Sequence, residues 1–247
     1  VPVSPALAGA PSAPAAVGVR VEGATDTLLP RTAVTTTTTT VVKDADPAHA
    51  CAGTSTAGAL ELATAGAWSG VWSGAFGTYS VDTVMGATHV FGSGRYWGLF
   101  VNGYAAPSGI CGVQMQPGDE LLVAAIDESG SAGVLSLAGV PATVRPGVPF
   151  TVTATRSATD FLPPTYDPVN SSAPVAGATV AGGGASATTA ADGTAALTLN
   201  ARGPVSVRVS NAADVRSVAQ PVCVSDGADG YCGSAAAPPP PAAPAPA

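Results

Sequence analysis

The chain has 247 residues, enough for two domains that each bury a core. Charged residues are only 10% while Gly (30) and Pro (23) are abundant, which argues against a helix bundle and for short strands joined by tight turns. With a formal charge of -7 and Lys43 the only lysine, there is no basic stripe to neutralise phosphates, so nucleic acid is not an expected partner.

Residues 1–15 are Pro/Ala-rich and read as an extended segment. The opening "VPVSPALAGAPSAPAAV" shows no basic segment followed by an apolar run, as expected where a signal peptide has been removed. No stretch approaches the roughly 20 apolar residues that cross a bilayer, so membrane insertion is not expected. "VGVRVEG" alternates as a half-buried strand, "ATDTLLPRT" carries turn residues, and the β-branched run Thr32 to Val42 predicts a second strand of a hairpin. An ice-binding ladder would repeat its threonines over many strands, and this run stands alone. The polar loop "KDADPAHAC" holds His49 with Asp44 and Asp46, a set that lacks the spacing of known metal motifs. Lys43 in that loop lacks the apolar pocket that would keep an amine neutral for an isopeptide crosslink.

"TSTAGALELATAGA" predicts the one helix: Thr54 or Ser55 as cap, Leu60, Ala63 and Ala67 on one face, and Gly66 at the end. "TYSVDTVMG", "GRYWGLFVNG" and "PGDELLVAAI" then read as strands broken by Gly, Asn-Gly and Pro-Gly. Period-2 geometry sends Trp97, Leu99 and Val101 to one face of the middle strand and Tyr96, Gly98 and Phe100 to the other. A single helix shields one side of a small sheet, which leaves the side with Tyr96 and Phe100 as a candidate contact surface, with a shallow slot at Gly98. Trp68, Trp72, Phe76 and Tyr79, in "GAWSGVWSGAFGTYS", are placed to line the same edge. The candidate ligand-binding residues are Tyr96, Phe100, Trp68, Trp72, Asn102 and Tyr104. The alternative is that the rings fill a core otherwise built of Ala, Gly and Val.

"SVDTVMG" (80–86), the Tyr-Trp of "GRYWGLFVNG", "PSGI" (107–110) and "QPGDELLV" (116–123) occur in this order in the C-terminal β domain of transcobalamin and intrinsic factor. A bacterial family of extracellular domains shares the pattern, and residues 16–128 of this chain resemble it. The resemblance implies a β-grasp-like sheet with one helix, and it brings in cobalamin as a ligand; the residues themselves call for no cofactor.

Residues 134–232 show many short strands with regular turns: two around the Pro-Gly of "VLSLAGVPATVRPGVPFTVTATR", others in "PVAGATVAGG", "ASATTAADGTAALTLNARG" and "PVSVRVSNA". This segment resembles bacterial immunoglobulin-like and carboxypeptidase-regulatory-like domains, which implies a β-sandwich acting as a spacer or adhesive module. "FLPPTYDPVNSSAP" reads as a surface loop with a glycosylation acceptor at Asn170. The fold class expected is therefore mainly β: a β-grasp-like sheet with one helix, then an immunoglobulin-like sandwich, between Pro/Ala-rich tails. Residues 233–247 form the second tail, a polyproline II spacer by composition.

Four cysteines, none in a CxxC pair, favour disulfides, and separate domains favour Cys51 with Cys111 and Cys223 with Cys232. That predicts an extracellular or cell-surface protein. Asp226 and Asp229 in "CVSDGADGYC" are too few carboxylates for a calcium site. No G-x-S-x-G surrounds any serine and the histidines stand 40 residues apart, so no enzyme is expected. The expected role is non-enzymatic binding of a small molecule or surface protein. The other reading is a structural or adhesive surface protein that self-assembles through its aromatic face.

Overall fold

The computed structural model describes residues 13–128 and 131–233. Among them strands dominate and there is one α-helix, as the composition requires. The chain divides into two compact units, and the division does not follow chain order. Unit one holds the described residues up to Leu135 together with Arg156–Ala173 and Ala212–Arg216; unit two holds Ser136–Thr155, Pro174–Asn211 and the described residues from Ser217.

In unit one, β1 (Ala16–Glu22) and β2 (Thr27–Thr35) form an antiparallel hairpin. The turn is at residues 23–26, so "TLLPRT" belongs to the strand and not to the turn expected there. Leu28, Leu29 and Val34 pack on the core from this strand. Pro30 is tolerated because β2 is an edge strand with a register shift beside it. The threonine run correspondingly leaves the sheet after Thr35. Thr36 is buried and ties back to Ala15 through its hydroxyl (2.8 Å), and the following loop lies on Gly53, where a Cβ would meet the Thr39 carbonyl oxygen at 2.0 Å.

The helix α1 (Thr56–Ala63) is shorter than its sequence pattern, and Ala67 lies beyond it. It ends through left-handed Ala65 and Gly66, with the Gly66 N–H donating to the Glu61 carbonyl, the closure expected of a C-terminal glycine. Ser55 occupies the N-cap without a side-chain cap bond. The first helical N–H groups are instead taken by main-chain carbonyls from a distant loop: Thr56 donates to Val113 and Ala57 to Ile110. Gly58 presses so closely on residue 53 that a Cβ would lie 1.9 Å from its carbonyl oxygen, which fixes the helix against that backbone.

After α1 come β3 (Trp68–Ser73), β4 (Thr78–Val84) and β5 (Ala87–Thr88), a three-stranded antiparallel sheet. β6 (Arg95–Val101) and β7 (Tyr104–Ala105) are joined by left-handed Asn102 and Gly103, and β8 (Glu120–Asp127) follows. The main sheet has the order β2-β1-β8-β6-β7, in which β1 and β8 run parallel and the other pairs antiparallel. Its helix-side face carries Val17, Val19, Val21, Trp97, Leu121 and Val123 against Ala57, Ala59 and Leu60. Its far face carries Phe100, Leu122, Ala124 and Ile126 against Val134 and Val215.

That far face corrects the expectation of an open side. Residues 132–134 and 212–215, remote in sequence but within the same unit, cover it, and Phe100 is 3% exposed. The slot expected at Gly98 is likewise filled: a Cβ there would meet Ile126 Cδ1 at 2.6 Å and Phe100 Cε2 at 3.1 Å. Beside the apolar cluster, Glu22 takes ion pairs from Arg20 (2.7 Å) and Arg216 (2.9 Å).

The remaining strands are β9 (Val134–Ala138), β10 (Thr143–Val144), β11 (Pro149–Leu162), β12 (Asp167–Pro174), β13 (Thr179–Gly182), β14 (Ala185–Thr188), β15 (Thr194–Thr198), β16 (Gly203–Ser210) and β17 (Gln220–Val224). One sheet runs β10-β17-β16-β13-β14 and another β12-β11-β15, with β9 also on β11. The buried side chains of unit two come from both, Val152 and Leu197 from one and Val180, Val207, Val209 and Val222 from the other. The segment expected as a loop is the end of a hairpin: β11 continues to Leu162 and β12 returns from Asp167. Within unit one, Thr159 secures it by accepting from the Ala105 N–H (3.0 Å) and donating to Asn170 (2.9 Å).

Both expected disulfides are present, Cys51–Cys111 and Cys223–Cys232, which fits an oxidising compartment. No helix among the described residues is long and apolar enough to cross a membrane.

Candidate functional site

The candidate rings separate into three groups rather than one face. The first group surrounds β3. Trp68 is buried, with the Lys43 ammonium 4.7 Å from its ring centroid, and its Nε1 has no hydrogen-bond partner. Lys43 is held by Glu61 (2.9 Å) and the Gly66 carbonyl (3.1 Å), so its amine serves an ion pair. Trp72, four residues on, stacks on His49 at 4.5 Å and meets Tyr79 edge-on at 5.0 Å. His49 Nδ1 lies 2.6 Å from Asp44, which also accepts from the Tyr79 hydroxyl at 3.0 Å. Among the described residues no group of three or more His, Cys, Asp or Glu side chains is placed to hold a metal ion. Asp226 and Asp229 both pair with Arg202, which supplies their positive charge from within the protein.

The second group is Phe100 with the far-face core. Asn102 and Tyr104 are near it in sequence but serve the strand ends: the Asn102 amide donates to Asp119 (2.8 Å) and its oxygen accepts from the Glu120 N–H (2.9 Å). Tyr104 is half-buried in the short pair with Val101.

The third group forms a cleft of about 450 Å³. Its rings are Phe76, Tyr79, Phe91, Tyr96 and Trp97, and Val81, Leu99 and Ile110 complete its apolar wall. Tyr96 and Trp97 are consecutive on a strand and so point to opposite faces; a cavity touching both must lie against the strand's edge. β8 occupies one edge of β6, and β7 pairs with the other only at Phe100 and Val101. The cleft therefore follows the uncovered edge of Arg95–Leu99, facing β4. The Leu99 carbonyl on that side accepts from Ala106 (2.9 Å), and strand parity aims the main-chain groups of Trp97 the same way, where no partner takes them among the described residues.

Two of the cleft's rings are largely in water. Phe76 is 83% and Phe91 73% exposed, and Phe91 meets Tyr96 edge-on at 5.6 Å. The lining contains no Asp, Glu, Lys, Arg or His; its polar groups are the hydroxyls of Ser73, Thr78, Ser80 and the tyrosines. Burial raises the Tyr96 phenol above its ordinary value, with the charge of Glu128 adding to it, so the ring is neutral in use. Of the six candidate residues only Tyr96 lines this cleft. Phe91, in "HVFGSGR", carried no strand or helix pattern to draw attention to it.

The His89 ring lies 5.0 Å from that of Trp97, edge-on. Burial lowers its pKa from 6.5, and Arg95 adds to the effect. Between the lowered value and 6.5 the unfolded chain binds more protons than the folded one. The stability tied to neutral His89 is thus complete above 6.5 and is lost as pH falls through the folded value. Imidazolium quenches indole emission, so the part of the tryptophan fluorescence titration abolished by His89→Gln is expected to have its midpoint below 6.5. A midpoint above 6.5 would contradict the half-buried placement.

Comparison of the chain with protein-family models, with curated proteins and with solved structures gave no match.

Proposed function

We propose that this chain is a secreted or cell-surface binding protein without catalytic chemistry. Its first unit is a β-grasp-like module that takes an uncharged, largely apolar ligand in the cleft along β6, and its second is an immunoglobulin-like spacer. The β-grasp reading is supported by the order β2-β1-β8-β6, with the one parallel pair between β1 and β8 and the helix between the hairpin and the later strands. The observation that carries the functional reading is the cleft itself. Phe76 and Phe91 stand in water at the mouth of an uncharged cavity, and its volume of 450 Å³ is within the range of about 300–1,000 Å³ usual for small-molecule sites.

The test is a titration with a neutral apolar dye, Nile red, and with cobalamin as the flat cofactor implied by resemblance, followed by tryptophan emission. Phe76→Ser with Phe91→Ser removes exposed rings and leaves the core intact, so the fold is retained and saturable binding is expected to weaken roughly tenfold or more. Absence of saturable binding, or binding indifferent to the two rings, would remove the proposal.

A second reading, a structural or adhesive surface protein, is favoured by the outer end of the β11–β12 hairpin. There Phe161, Leu162, Tyr166 and Val169 are all exposed. Concentration-dependent association that disappears on Phe161→Ser with Tyr166→Ser would decide for it.

A further inference from the structure

We propose that the β6 cleft takes the end of the β11–β12 hairpin, residues 161–166, from a second copy of this chain, an inference that rests on the binding role given to the cleft above and names its occupant. Both parts belong to unit one, so each copy presents them on one compact body. The hairpin is anchored where Thr159 accepts from the Ala105 N–H (3.0 Å), and beyond that point every residue from 160 to 173 is exposed. Its turn is formed, with the Tyr166 N–H donating to the Leu162 carbonyl at 2.9 Å. A two-stranded arm without a core of its own is marginal in water, yet this one carries Phe161, Leu162, Tyr166 and Val169 in the open. The arm does not fill the cleft of its own chain: Phe76 and Phe91 are exposed in the same structure in which Phe161 and Tyr166 are.

Size and charge fit the two parts to each other. A cleft of 450 Å³ has room for a few side chains and not for a flat protein face, so it calls for a narrow element such as a hairpin end. Residues 161–166 read "FLPPTY" and carry no charge, and the cleft lining carries none to meet one. A charged segment would lose its hydration there without finding a partner. Charges stand only beside the two parts: Asp160 and Asp167 flank the uncharged run, and Arg95 precedes Tyr96 on β6. None of the three has an ion-pair partner among the described residues, and opposite charges around an apolar centre fix the register of a contact. Inside, Phe161 and Tyr166 supply rings for offset or edge-on contact with Phe76 and Phe91. The contact joins unlike surfaces, so the hairpin end of one copy and the cleft of the other stay available after the first pairing.

The experiment uses the full chain and two variants, one with Phe76→Ser and Phe91→Ser in the cleft, the other with Phe161→Ser and Tyr166→Ser in the hairpin. All four side chains are exposed, and circular dichroism verifies that both variants retain their strands. Sedimentation equilibrium is expected to show the unaltered chain associating with rising concentration, and each variant alone associating roughly tenfold or more weakly. Mixing the two variants restores one intact cleft and one intact hairpin, so a one-to-one complex that grows no further is expected. Nile red, which takes the same cleft, is expected to compete with that complex. Variants that fail to pair when mixed, or a cleft variant that associates as well as the unaltered chain, place the contact elsewhere and overturn the proposal. If the unaltered chain stays monomeric while Nile red still binds through Phe76 and Phe91, the hairpin is not the occupant and the binding role stands. If the chain neither associates nor binds the dye, both fall.

Discussion

Replacing Glu22 by Gln is expected to destabilise the first unit by about 3–5 kcal/mol, the cost of leaving a buried charge without its partner. Glu22 is 2% exposed and accepts from Arg20, Arg216 and the Thr27 hydroxyl. Gln keeps the shape but removes the negative charge, leaving two guanidinium groups facing each other across a covered sheet face. Arg216 also donates to the carbonyls of Gly23 (2.7 Å) and Asp26 (3.3 Å), so the same network pins the β1–β2 turn to residues 212–216. The exposed pair Arg31–Glu120 is the natural control: Arg31→Ala should cost at most about 1 kcal/mol, because water screens a surface pair. Trp68, Trp72 and Trp97 all belong to unit one, so denaturation followed by tryptophan emission reads that unit alone. Equal losses in the two variants would show that the far face is open to water and that the covering segment is not seated as described.

Removing the Cys51–Cys111 link, by replacing both cysteines with alanine, is expected to lower the stability of the same unit by about 4 kcal/mol in the chain-entropy account. The bridge closes a loop of sequence separation 60, and its opening releases a large unfolded-state ensemble. It also joins two segments that meet at α1: Cys51 exchanges main-chain hydrogen bonds with Val41, and the Cys111 loop supplies the Ile110 and Val113 carbonyls that close the helix N-terminus. The helix has only eight residues and no side-chain cap, so those carbonyls and the packing of Ala57, Ala59 and Leu60 on the sheet are what hold it. The measurement is again denaturation by tryptophan emission, with reduction of the wild-type chain as an independent route to the same state. A loss under about 1 kcal/mol by either route would contradict the chain-entropy account of this bridge.

Much of the secondary structure is legible locally because its signals are local. The alternation of "RYWGLFV" becomes β6 with the expected faces, that of "VGVRVEG" becomes β1 but buried on both faces and not on one, and the Asn-Gly after Val101 becomes a two-residue turn because both residues adopt left-handed backbone. Where competing local signals met, tertiary packing chose. The threonine run has high strand propensity, yet Leu28 and Leu29 have more apolar surface to bury, so the strand shifts toward them and the threonines leave the sheet. The aromatic residues were visible as a set but not as a site. Trp68, Trp72, Phe100 and Tyr96 went to different surroundings because strand parity sorts neighbours onto opposite faces, and because β3 is itself a strand pairing with β4.

Composition alone determined that this chain would be rich in strands and poor in positive charge, and cysteine number and placement determined two disulfides. Those properties depend on residue type and short spacing, which need no knowledge of distant partners. Only the tertiary structure decided what covers the second side of the main sheet, since residues 132–134 and 212–216 carry too little pattern to announce that role. Covering that side buried Phe100 in the core, and the end of β7 after two residues left the edge of β6 bare. The cleft exists because of that bare edge, a property of how strands end against one another and not of any motif within them.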